Sequence, residues 1–195
     1  PGGGATLLHA ARVGAAPRTL ASAPSITSLA AAGKSLVYLT EDKTPSSGQL
    51  WQAGPGSAPP RSLRQGLRAP RGLLATREHL YWVETRPAPV PGIACVPVLQ
   101  PLSLIYRANL DGEAPALLAV SESDEAHFPG RLMGERDGQL YWLQHSGQQY
   151  QHPITTVSRV PVQGGPAEQM ARAEGLQEAL VVGSTLYWTA PSEEM

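Results

Sequence analysis

An all-β fold of short antiparallel strands is predicted for this 195-residue chain by three observations. A Leu-Tyr-Trp strand motif recurs along it. A second apolar segment precedes each copy. Turn residues fall between the segments at regular places. Gly (20) and Pro (19) make up about a fifth of the chain, above average usage. Their periodic placement argues for turns between strands and against disorder.

The elements follow in order. Four segments carry the motif: Ser35-Leu36-Val37-Tyr38-Leu39-Thr40, His79-Leu80-Tyr81-Trp82-Val83, Gln139-Leu140-Tyr141-Trp142-Leu143 and Thr185-Leu186-Tyr187-Trp188. The first lacks the tryptophan. Upstream lie the apolar runs Ile26 to Ala30, Gly72 to Ala75, Gly130 to Met133 and Ala179 to Val182. Turn pairs separate each run from its motif: Gly33-Lys34, Arg77-Glu78, Asp137-Gly138 and Gly183-Ser184. Asp-Gly between two strand-like runs is a strong hairpin signal. A third segment is seen in Leu8 to Val13, Leu50 to Ala53, Ile105 to Leu110 and Val157 to Val162. A fourth follows a glycine-bearing turn and a proline: Pro17 to Leu20, Pro60 to Leu63, Pro115 to Leu118 and Pro166 to Met170. Residues 167–182 also read as a short helix, but alignment of the segments makes Val181-Val182 a strand.

The unit is four strands, a to d. The motif tyrosines stand 43, 60 and 46 residues apart, the period of one β-propeller blade. The chain opens with strands c and d and closes with a and b, and the distance from Tyr187 round to Tyr38 is again 46 residues. The expected architecture is one domain over 1–195, a four-bladed propeller closed by a two-plus-two seam. Its pieces are 5–21 with 174–190, 25–63, 70–118 and 129–170. Closure would remove exposed strand edges. A fragment of a six- to eight-bladed ring is the alternative. The motif aromatics Tyr81, Trp82, Tyr141, Trp142, Tyr187 and Trp188 alternate across strand faces and are expected to be buried between blades.

The motifs resemble YWTD-type propeller repeats and the bacterial propellers with LYW strands. The residues that carry the likeness are Leu80-Tyr81-Trp82, Leu140-Tyr141-Trp142 and Leu186-Tyr187-Trp188. Ile105 to Gly112 and Val160 to Gly165 add hairpins of the same type. The aspartate that closes the YWTD motif is replaced by Glu41, Glu84, Gln144 and Ala190. The resemblance implies a periplasmic, extracellular or membrane-associated binding or scaffold domain, bacterial in type and often tethered.

Composition narrows the function classes. The formal net charge is −1 and no basic face is evident, so nucleic acid is not an expected partner. No apolar run reaches a membrane-spanning length. A chain that begins at Pro1 leaves room for a leader or tether upstream. Cys95 is the single cysteine and reads as a small packing or loop thiol. His145 and His152 flank a polar loop, but their spacing matches no zinc pattern. The acidic run Glu122 to His127 lacks a calcium-loop glycine pattern. No Walker loop, nucleophile elbow or His-Glu-x-x-His segment occurs. The expectation is therefore no catalytic residues, no metal and no cofactor.

The informative departure from the period is a proline-rich insertion, 86–102. Long loops on a regular scaffold are commonly functional, and prolines lower the entropy lost on ordering against a partner. Ile93, Val96, Val98 and Leu99 of the insertion, with His145, Tyr150 and His152 of the next b–c loop, form the expected partner-contact surface. The leading expectation is a non-catalytic protein-interaction or scaffold propeller, a subunit or sensor module of a larger extracytoplasmic assembly. A propeller-type hydrolase or lyase, or a small-ligand or sugar-binding propeller, is the alternative.

Overall fold

The computed structural model describes residues 5–9, 18–41, 44, 47–54, 59–89, 99–122, 131–146, 154–174, 176, 178–182 and 185–189. Among them are sixteen β-strands and no helix. Strands β1 (Ala5–His9) and β2 (Arg18–Ala23) form a two-stranded sheet. Strands β3 (Ile26–Ala32), β4 (Ser35–Thr40), β5 (Gly48–Ala53) and β6 (Arg61–Leu67) form a four-stranded meander. A second meander holds β7 (Arg71–Ala75), β8 (His79–Pro89), β9 (Leu99–Asn109) and β10 (Ala116–Glu122). A third holds β11 (Arg131–Arg136), β12 (Gln139–Ser146), β13 (Ile154–Pro161) and β14 (Glu168–Glu174). The chain ends with a hairpin of β15 (Glu178–Val182) and β16 (Thr185–Thr189). The pairings with a recorded register are all antiparallel. No sheet among the described residues is closed, and the two terminal hairpins stand as separate sheets. The fold is thus all-β, in antiparallel four-stranded sheets.

The strands form where the apolar runs predicted them, and the turns explain why. Asp137 and Gly138 both take positive φ, 49° and 70°. That pair of left-handed residues makes a tight hairpin turn whose twist suits the flanking strands. Glycine is needed at the second position because a side chain there would be strained. Thr76 does the same task with its hydroxyl, which accepts from the backbone N–H groups of Glu78 (3.3 Å) and His79 (3.1 Å).

Two compact units are defined by the chain, Pro1–Glu84 with Ala108–Pro115, and Thr85–Arg107 with Ala116–Met195. In the first, Val37, Leu39, Leu50 and Leu80 to Val83 are fully or almost fully buried. Consecutive residues of a strand point to opposite faces. An unbroken buried run therefore means that both faces of β8 are covered there. Side chains tie β3 to the segment around β7. Thr27 Oγ1 donates to Pro70 O at 3.0 Å, and the Leu73 N–H donates to Ser28 Oγ at 3.0 Å. Gly48 lies so close to Pro70 that a β-carbon would stand 2.5 Å from its ring.

In the second unit Leu140, Tyr141, Trp142, Leu143, Val157 and Val160 form the buried run. Leu143, Val157 and Leu176 make a cluster against which Met133, Ala179 and Leu186 pack. Arg107 and Ser121 reach the third meander, the guanidinium donating to Val162 O just past β13 and the hydroxyl to Gln144 Oε1 of β12.

The structure departs from the sequence expectations in two places. Tyr187 and Trp188 are 57% and 50% exposed, not buried. The copies at Tyr81-Trp82 and Tyr141-Trp142 lie on strands with a neighbour on either side, whereas among the described residues β16 pairs only with β15. The insertion is also less of a loop than its prolines imply. Strands β8 and β9 each run eleven residues, to Pro89 and from Leu99. Arg86 Nη2 donates to the Tyr106 hydroxyl at 3.3 Å across this stem.

Candidate functional site

Of the expected partner-contact residues, Ile93, Val96, Val98, Tyr150 and His152 lie outside the described residues, as do Cys95 and the acidic run from Ser123. Leu99 is the first residue of β9. His145 sits near the end of β12, opposite Thr155 of β13 in the ladder. Its Nδ1 is 2.7 Å from Thr155 Oγ1. Thr155 is fully buried, and its hydroxyl donates to Leu176 O at 2.9 Å. The single hydroxyl proton is thereby used, so Nδ1 of His145 must bear the hydrogen and donate. Burial pushes the His145 pKa below its usual value. His145 and Thr155 thus hold the link between β14 and β15. This is a positioning role, and sequence periodicity carried no signal for it because it depends on a backbone carbonyl twenty-one residues from Thr155.

A cleft of about 270 Å³ lies in the second unit along β11 and β15. Leu132, Met133, Leu143, Ala179 and Val181 line it, with Arg136 at its side. Arg131 closes onto Glu178 at 2.9 Å, both ends of the pair being largely exposed.

A second cleft, of about 320 Å³, lies in the first unit over β4 and β5. Tyr38 and Trp51 are direct cross-strand partners. Their rings stack, with centroids 6.4 Å apart and planes 11° apart. Two residues along, Thr40 and Gln49 are the next pair on the same face. Trp51 Nε1 donates to Thr40 Oγ1 at 3.2 Å. Glu41 stands at the rim, 2.6 Å from Arg71. Ala23, Pro24 and Pro60 complete the walls. Burial raises the Tyr38 pKa, so the ring is a neutral phenol. The motif lacks its tryptophan in this copy, and Trp51 of the neighbouring strand supplies one. The period-2 rule applied to both strands finds this pairing, but only once their register is known.

Among the described residues no three His, Cys, Asp or Glu side chains converge, and no helix is long and apolar enough to cross a membrane. No protein-family model and no curated protein matches the chain.

Proposed function

We propose that the chain is a non-catalytic interaction module, a four-bladed propeller related to the YWTD-like and bacterial LYW-repeat group. The observation that carries the interaction reading is the stem of the insertion. Its strands β8 and β9, at eleven residues each, are the longest among the described residues. Residues 90–98, which join these strands in the sequence, are the contact element of this reading, and their prolines lower the entropy cost of binding. The module serves as a scaffold or sensor subunit in an extracytoplasmic assembly. This last element rests on the resemblance alone.

Ring closure has its own support. The chain carries one hairpin of c–d type, β1–β2, and one of a–b type, β15–β16. Tyr187 and Trp188 are exposed where the corresponding pairs are buried. Pairing β1 with β16 would cover them and remove two edges. Light scattering is expected to return the mass of one chain, and Trp188→Phe to remove a blue-shifted emission component. A red-shifted Trp188 component would overturn closure.

The interaction reading is tested by deleting residues 87–100. The deletion variant is expected to keep its thermal transition and lose the protein partner that the intact chain captures from extracts of its source. Capture of the same partner by both would overturn it.

A further inference from the structure

We propose that the cleft over Tyr38 and Trp51 binds a neutral saccharide. Trp51 is half-buried, and its ring, backed by the buried Tyr38 ring on which it stacks, offers an aromatic face to the cleft. Aromatic faces carry negative quadrupole density, and the polarised C–H groups on one face of a pyranose are attracted to it. Sugar hydroxyls each donate and accept, so a sugar site needs both kinds of partner in one place. The cleft supplies them: the Gln49 amide donates and accepts, and the Glu41 carboxylate accepts. The Tyr38–Trp51 and Thr40–Gln49 pairs lie on one face of β4 and β5, because they are two residues apart on each strand.

Charge and size narrow the ligand. The carboxylate of Glu41 is neutralised by Arg71 at 2.6 Å, which leaves no net charge to draw an ion. A free anion would meet the carboxylate, and a cation would compete with the guanidinium. The volume of about 320 Å³ is at the small end of ligand pockets, suited to one or two sugar rings. Ala23, Pro24 and Pro60 are compact walls without side-chain charge. The proposal stands on the β4–β5 face alone and does not depend on ring closure or on the insertion.

The test uses the full chain with cellobiose, maltose, lactose and N,N′-diacetylchitobiose at millimolar concentration, followed by saturation-transfer NMR and tryptophan fluorescence, and a neutral-glycan array. At least one neutral saccharide is expected to receive saturation at its ring C–H groups and to shift the emission. Gln49→Ala is expected to weaken that binding about tenfold, the loss of one or two hydrogen bonds, while leaving circular dichroism and the thermal transition unchanged. Trp51→Leu is expected to weaken it at least as much; if that variant fails to fold, Gln49→Ala decides alone. Absence of binding to every neutral saccharide, or binding unchanged in Gln49→Ala, overturns the proposal.

Discussion

Trp82 Nε1 donates to Glu84 Oε1 at 3.2 Å, two residues along the same strand, and the other oxygen of Glu84 accepts from the Arg68 N–H at 3.1 Å. The carboxylate is almost fully buried and divides its oxygens between two donors. The position two residues after Trp142 is Gln144, which has one acceptor oxygen, and Ser121 uses it. Trp142 Nε1 is buried without an acceptor among the described residues.

Glu84→Gln is accordingly expected to destabilise the protein by about 1–3 kcal/mol, because an amide cannot accept at both ends and one buried donor is left unpaired. Urea unfolding measures it. Gln144→Glu offers Trp142 Nε1 an acceptor and is expected to add about 1 kcal/mol. A loss instead would mean that desolvating the carboxylate outweighs the new bond.

Gly48→Ala is expected to cost about 1–3 kcal/mol, the range for overpacking. The added carbon would lie 2.5 Å from Pro70 Cδ and 2.8 Å from Leu67 O, and neither a proline ring nor a backbone carbonyl swings aside. Pairing with Pro70→Ala relieves the ring contact. The double variant is therefore expected to lose less than the sum of the single changes, read from thermal unfolding.

The His145 pKa is lowered by burial, so the folded protein holds this proton less tightly than the unfolded chain does. Stability from this group is complete above the unfolded value of about 6.5 and is lost as pH falls through the folded value. NMR titration of the imidazole is expected to give a midpoint below 6.5. The acid-side fall in stability should shrink in His145→Phe. A midpoint at or above 6.5 would contradict the burial of this ring.

Thr155→Val keeps the shape of a fully buried side chain and removes its hydroxyl. The Leu176 carbonyl loses a donor and the His145 Nδ1–H loses its acceptor. A loss of about 1–3 kcal/mol is expected. Amide exchange in β15, just beyond Leu176, should rise more than that in β4.

Much of the strand pattern is legible without coordinates. Asp137-Gly138 announces its turn because few residues accept two successive left-handed conformations, and the runs Leu80 to Val83 and Leu140 to Leu143 announce strands through their apolar, β-favouring side chains. Strand ends are less legible. The d strands run to Leu67, Glu122 and Glu174, past Leu63, Leu118 and Met170, because ladder bonding continues into stretches such as Arg64-Gln65-Gly66 and Ser121-Glu122 that carry no apolar signal. The insertion shows the same thing in reverse, with Pro87 and Pro89 inside β8. His145 was legible as a loop-flanking residue, but its bond to Thr155 was not.

Local chemistry along the chain thus set where strands and tight turns form, since propensity, alternation and turn conformation act over a few neighbours. Burial was decided only in three dimensions. Tyr81-Trp82 and Tyr187-Trp188 are the same dipeptide after the same leucine, yet the first pair is fully buried and the second about half exposed. The difference lies in what distant segments place beside each strand, and a side chain's own neighbours in sequence do not specify that.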